Sequence, residues 1–365
     1  MPSCLDRYFV ARNVGRWVLL PRPIGFLPTR PASKGTRLSR PKQALKPARA
    51  LRPAGSSREV SSLTAFDRLK RAVKVLWALA WHLGLGPVVK AFRQSRPGLR
   101  ILLYHRVSRE PGGELAVTPE ALDRQLRLVL ASGRRIVPLS QVPALLRTGV
   151  RGSSPSGPLS SDSLDRLVVL TFDDGYLDNL TQALPVLRRH GVPAAVFVPT
   201  TFPGSDRPFP WMADLGVDED RDPESRPLSW DELRELAARG VEIHSHGLSH
   251  ADLTHLPPAE VRDEMLVSAG VIEREIGRRP TAFCYPFGFF AAEVVSLAAG
   301  TGYEMACTCR PGVNDGATPL HLLRRTMVET TDTPAVFRAR LDGAFDRPFP
   351  SGPKNLLKGL LGRRR

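Results

Sequence analysis

Leu167-Val168-Val169-Leu170-Thr171-Phe172-Asp173-Asp174-Gly175 is the stretch that decides the fold. An apolar, β-prone run without polar alternation is the pattern of a strand covered on both faces, as in a parallel sheet. The strand then meets two carboxylates, and Gly175 permits a sharp exit. Two adjacent carboxylates at the end of a buried strand are costly unless paired, and a cation would relieve their repulsion. A solvated Asp-Asp-Gly turn would account for the same residues without chemistry.

Working outward, the same grammar repeats. Upstream, a strand is predicted over 100–104, then a helix that Thr118 caps with Pro119 at its first position. Leu122, Leu126, Val129 and Leu130 give that helix its apolar face, and a Gly/Ser/Pro loop over 149–163 follows. Downstream, the pattern predicts helices over 180–190, 230–239 (capped by Ser229), 258–276 and 293–299. They alternate with strands over 194–198, 241–245, 281–285 and 305–308. Such alternation implies a parallel sheet, open or closed into a barrel, with functional residues at the C-terminal strand ends.

Two other strand ends carry ionisable groups. His244-Ser245-His246-Gly247-Leu248-Ser249-His250 holds three of the chain's eight histidines. One helical turn would bring His246 and His250 to one side. Two imidazoles plus one carboxylate make a three-ligand catalytic zinc set with a position open to water; cobalt or nickel would also suit two nitrogens and one oxygen. His105, in Leu103-Tyr104-His105-Arg106-Val107, is a candidate general acid or a structural strand-end histidine. Trp211 lies in a long loop at the predicted mouth, where it stacks on a sugar or packs the loop.

The net charge of +16 is unevenly spread: residues 1–100 carry +18, residues 101–350 carry −7 and residues 351–365 carry +5. Basic ends on a mildly acidic body suit an anionic membrane surface or solubility, not a nucleic-acid groove. No zinc-finger spacing or aromatic-basic RNA motif is present. Four cysteines (Cys4, Cys284, Cys307, Cys309) are too few for a disulfide scaffold and are expected to be inert thiols.

From about Leu99 to Val328 the chain resembles the NodB-like polysaccharide deacetylases, carbohydrate esterase family four. Thr171-Phe172-Asp173-Asp174-Gly175 is similar to the family's first motif and His246-Gly247-Leu248-Ser249-His250 to its second. The resemblance implies an irregular (β/α) barrel, usually seven-stranded, with Asp173 as base and Asp174, His246 and His250 as metal ligands. Cys284-Tyr285-Pro286-Phe287-Gly288 resembles the third motif, which implies an oxyanion role for the Phe287 N–H and a substrate-side Tyr285. Cys284 stands where the family has an arginine, and Arg324 or Arg325 are the candidates to replace it. Leu-Tyr-His-Arg-Val near the domain start resembles a permuted branch that includes exopolysaccharide poly-N-acetylglucosamine deacetylases. That branch assigns the acid to His105, with His321 as rival. The implied activity is metal-dependent hydrolysis of N-acetyl groups from an acetylated amino-sugar polymer; an amidase for small C–N substrates and a non-catalytic glycan binder are the alternatives.

The ends are read separately. Residues 1–60 show no sustained periodicity and are expected to be disordered. Residues 61–97 form an amphipathic helical segment, 98–350 the catalytic domain and 351–365 a basic tail. Phe66 to Phe92 is either an interfacial segment, with Trp77 and Trp81 at the lipid headgroups, or a helix packed on the domain. No clear secretory signal is apparent, so the expected location is membrane-associated or cell-envelope, with the cytoplasm as alternative.

Overall fold

The computed structural model describes residues 8–13, 16–21, 65–86, 97–109, 115–148, 163–205, 209–212 and 222–346. The rest of 1–60, residues 61–64, 87–96 and 149–162, and the 351–365 tail lie outside the described residues, as does Cys4. The chain divides into two units, Met1–Leu63 and Thr64–Arg365. In the first, β1 (Tyr8–Asn13) and β2 (Arg16–Pro21) pair antiparallel, Phe9 opposite Leu20 and Ala11 opposite Val18. Regular structure thus occurs within 1–60, in a stretch dense in aromatic and aliphatic residues.

The second unit opens with α1 (Ala65–Ala80), followed by β3 (Arg100–Tyr104), β4 (Arg106–Val107) and β5 (Ala116–Val117). Next come α2 (Pro119–Ala131), β6 (Arg135–Ile136), α3 (Val142–Thr148) and β7 (Leu167–Phe172). The chain continues through α4 (Leu184–His190), β8 (Ala195–Val198), α5 (Trp230–Ala238), β9 (Glu242–Ser245) and α6 (Pro258–Ile276). It ends with β10 (Ala282–Cys284), α7 (Ala292–Gly300), β11 (Met305–Cys307), β12 (Thr326–Met327) and α8 (Pro334–Leu341).

Seven strands form one continuous curled sheet in the order β11-β10-β9-β8-β7-β3-β12, and β6 pairs β7 off that path. Every pairing in it is parallel. Among the described residues the two outer strands do not pair along their length; their segments are joined by a bridge between Cys307 and Leu323, three residues before β12. The barrel is therefore irregular and incompletely closed. Its interior is packed by Ile101, Val169, Phe197, Cys284, Met305 and Leu323, with Leu139, Val142 and Leu146 joining them.

The helix signals hold locally. Thr118 Oγ1 accepts from the Ala121 N–H at 3.1 Å, and Ser229 and Glu232 form a capping box on α5. Helix α6 buries Val261, Met265, Ala269 and Ile272 and ends at Gly277 with φ 77°. The tryptophans of the 66–92 segment face inward: Trp81 is buried against Val336 and Ala339, and Trp77 Nε1 donates to the Ala344 carbonyl at 3.1 Å. For the tryptophans this is the domain-packed alternative, in place of the headgroup placement. Among the described residues no helix is long and apolar enough to cross a membrane.

Candidate active site

Parallel strands put all their C-terminal ends on one side, and the ionisable residues gather there. The Asp173 N–H still bonds the Tyr104 carbonyl at 2.9 Å, so Asp173 continues the ladder of β7. Asp174 then turns into the left-handed region (φ 72°), and Gly175 follows at φ 76°. A left-handed aspartate is a strained conformation of the kind found at working sites.

The histidine loop is held by a residue the sequence reading missed. Glu264 of α6 accepts from the Leu248 and Ser249 N–H groups at 2.7 and 3.0 Å and from the Ser249 hydroxyl. His246 and His250 therefore meet through a loop wrapped around a buried carboxylate, not through the helical turn suggested by their spacing. Gly247 has φ 83°, and a Cβ there would stand 3.0 Å from Glu264 Oε2, so the loop needs its glycine. An acid on the apolar stripe of α6, three residues after Val261, was the available signal.

One oxygen of Asp174 and one nitrogen each of His246 and His250 lie within 4.8 Å of one another. Asp174 Oδ1 is 3.6 Å from His246 Nε2 and 3.5 Å from His250 Nε2. Ligands bonded at ~2.1 Å to one tetrahedral ion stand about 3.4 Å apart, so the set fits a divalent cation. Asp174 Oδ1 is buried without a hydrogen-bond partner, the state of a group awaiting one. His246 Nδ1 lies 2.9 Å from the Cys284 carbonyl, which leaves Nε2 bare toward the ion. Burial holds both imidazoles below their usual range, His250 well below, so they stay neutral donors. Burial, then the neighbouring Asp173 charge, push the Asp174 carboxyl up to about 8.

Asp173, His246 and Cys284 form an overlapping group, but its chemistry is different. Both Asp173 oxygens are taken by Arg325, at 2.7 Å each in a fork-to-fork pair. Burial alone would raise the Asp173 carboxyl; Arg325 outweighs it and holds the group well below the carboxylate range. Burial pushes the Cys284 thiol well up, so it is a neutral neighbour, 2.9 Å from Arg325 Nη2. Of the two candidates for the missing arginine, Arg325 makes the contact, from the residue before β12.

His105 follows β3, within electrostatic reach of Asp173, Arg325 and His246; burial pushes its ring down to about 4. Its neighbour Arg106 is buried and tied to Asp178 and Asp222 at 2.8 and 2.7 Å. His321 faces elsewhere, its Nε2 2.8 Å from the Tyr303 carbonyl. Tyr285 corrects an expectation: its side chain is buried with Phe283 and Tyr303, and its hydroxyl donates to the His321 carbonyl at 3.0 Å. In a strand whose Cys284 points inward, the next residue points out of the barrel. Phe287 takes φ 59° with its ring 54% exposed and 4.6 Å from that of His250. The Trp211 ring packs 4.4 Å from that of His250, tilted by 32°, and its Nε1 donates to the Tyr176 hydroxyl at 2.8 Å. Tyr176 in turn lies close enough to Asp174 to shift its carboxyl.

A cation beside a separately charged carboxylate is equipped for water chemistry at a carbonyl. The class defined by this fold and site is a hydrolase with a divalent-cation centre. Residues 160–306 match the family model described as polysaccharide deacetylase. The chain is 25% identical over 244 residues to the Bacillus subtilis protein YxkH, covering 67% of this chain and 76% of that one. It is 31% identical over 139 residues to the chitooligosaccharide deacetylase of Bradyrhizobium, covering 38% of this chain and 53% of that one. Among solved structures, the Streptococcus pyogenes deacetylase PplD in complex with acetate matches in fold with TM-score 0.53 at 22% identity, over 67% of this chain and 98% of that one. The residues matched, 160–306, include all three cation ligands.

Proposed function

We propose that the protein removes acetyl groups from N-acetylglucosamine units of an exopolysaccharide or related polymer, with zinc as the resident ion. The observation that carries this reading is the convergence of Asp174, His246 and His250 beside a charged Asp173. The named activity of the chitooligosaccharide deacetylase relative supports an acetamido sugar as substrate. A divalent cation held by the three ligands would supply Lewis acidity to the carbonyl and lower the pKa of water. Asp173, kept ionised by Arg325, takes the proton of the attacking water. The Phe287 N–H is the candidate donor to the oxyanion. His105 delivers a proton to the departing amine, giving acetate and a free amino sugar. Acetate release from N-acetylglucosamine oligomers, with metal content measured alongside, tests the assignment; a metal-loaded protein that releases none overturns it.

The permuted branch is supported by the position of His105 beside Asp173 and by the engagement of His321 with a backbone carbonyl. With its ring held down to about 4, His105 is neutral at neutral pH, so its proton must reach it within the turnover. His105→Ala is expected to keep the metal and lose ~10²-fold or more in rate, as for removal of a general acid. His321→Ala is expected to change little. Parallel rate and metal measurements decide between them, and the reverse pattern returns the acid to the C-terminal side.

Trp211 is assigned to the cation site as much as to the sugar. It packs on the ring of one ligand and hydrogen-bonds Tyr176, a neighbour of another. Trp211→Ala is expected to weaken metal binding by ~10-fold, within the range for partners that orient ligands. Competition against a chromophoric chelator measures it. Unchanged metal affinity with a raised KM for oligosaccharide would leave Trp211 as a sugar contact only.

A further inference from the structure

Helix α1 has two apolar faces, and the domain uses one. Ala78 and Trp81 are buried against Val336, Ala339, Ala344 and Phe345 of α8 and the turn after it. Lys74 bonds Glu329, in the turn leaving β12 at the functional end of the sheet. The opposite face is Leu69, Val73, Leu76 and, beyond the helix, Leu83. Leu69 is 56%, Leu76 65% and Leu83 87% exposed, and Leu79 and Leu85 extend the patch. The 69, 73, 76 spacing follows one side of the helix, and scattered single leucines would not produce it.

Charge indicates what this face meets. Within 65–86 the chain has four Lys or Arg and one Asp, and residues 1–60 and 351–365 are strongly basic. Arg68 and Arg71 are exposed on α1 itself. An apolar stripe on a basic helix, fixed to a folded domain by its other face, complements a lipid surface bearing negative headgroups. We propose that this leucine face seats the protein on an anionic membrane surface, beside the open end of the barrel. The proposal is independent of the reaction catalysed there.

The test uses the full-length chain and sedimentation with phosphatidylglycerol-containing vesicles, with pure phosphatidylcholine vesicles as control. The parent is expected to bind the anionic vesicles and bind the neutral ones weakly. Leu76→Ser/Leu83→Ser is expected to reduce partitioning by roughly tenfold or more while melting temperature stays the same, since both side chains are exposed. A parent that stays in the supernatant overturns the proposal and leaves the face to another segment of the chain. A dimer that the variant dissolves, without vesicle binding, assigns the face to a second copy and also overturns it. Equal partitioning of parent and variant does the same, by showing that the basic ends alone carry the affinity.

Discussion

Replacing Asp174, His246 or His250 with Ala is expected to reduce bound metal to near background and to abolish acetate release. Each variant leaves two ligands where the open catalytic geometry needs three. The loss should exceed the ~10–100-fold typical of removing a partner that merely orients a ligand. The same site predicts how the parent responds to pH. A cation can bind Asp174 only after displacing its proton, and burial with the Asp173 charge holds that proton up to about 8. Below that value metal and proton compete, so affinity falls as pH falls, with a proton released as each ion binds. Titration with zinc in buffers of different ionisation enthalpy reads both quantities. A His250→Ala protein with full metal and turnover would remove the assignment, and pH-independent affinity would remove Asp174 from the ligand set.

The second large effect is expected at Arg325. Removing it leaves the Asp173 charge buried with nothing to oppose desolvation, a loss of about 3–5 kcal/mol for a broken buried pair. In the parent, the depressed Asp173 contributes stability that is present above the unfolded carboxylate value of about 4 and lost as pH falls through its lower folded value. In Arg325→Met the sign reverses. Burial now raises Asp173, so the deficit in melting temperature is largest at neutral pH and shrinks toward pH 4. The acid limb of the rate profile moves to higher pH for the same reason. Asp173→Asn separates the roles: it keeps shape and metal but cannot take a proton, with a rate loss of at least ~10²-fold. A residue that only filled space at 325 would lower stability without moving the limb, and that result would end its assignment as the partner of the base.

These variants also show which parts of the site were legible in one dimension. The Asp173-Asp174-Gly175 and His246 to His250 motifs could be read because each is local, at the end of a strand with a plain burial pattern. The replacement for the missing arginine had two candidates, Arg324 and Arg325. Which one enters the interior depends on the path before β12, a strand too short to announce itself. Glu264 was hidden by its company, an acid among the apolar residues of α6. Tyr285 was misassigned because its motif position was weighed above the alternation that turns it out of the barrel. Trp77 and Trp81 could not be assigned from the sequence because amphipathic character suits a lipid interface and a helix packed on a domain equally.

The seam of the barrel gives the site an order of assembly. The three cation ligands and Asp173 all lie within the first 250 residues, whereas Arg325 comes just before the last strand, past the Leu323 bridge. A chain that has folded through β10 thus has the three ligands, the Glu264 carboxylate that holds their loop and the Cys284 carbonyl beside His246, while its base still lacks the guanidinium that keeps it charged. The base gains its guanidinium partner only when the C-terminal strand docks along β3, so the charge that tunes the chemistry is the last part of the site to be set in place.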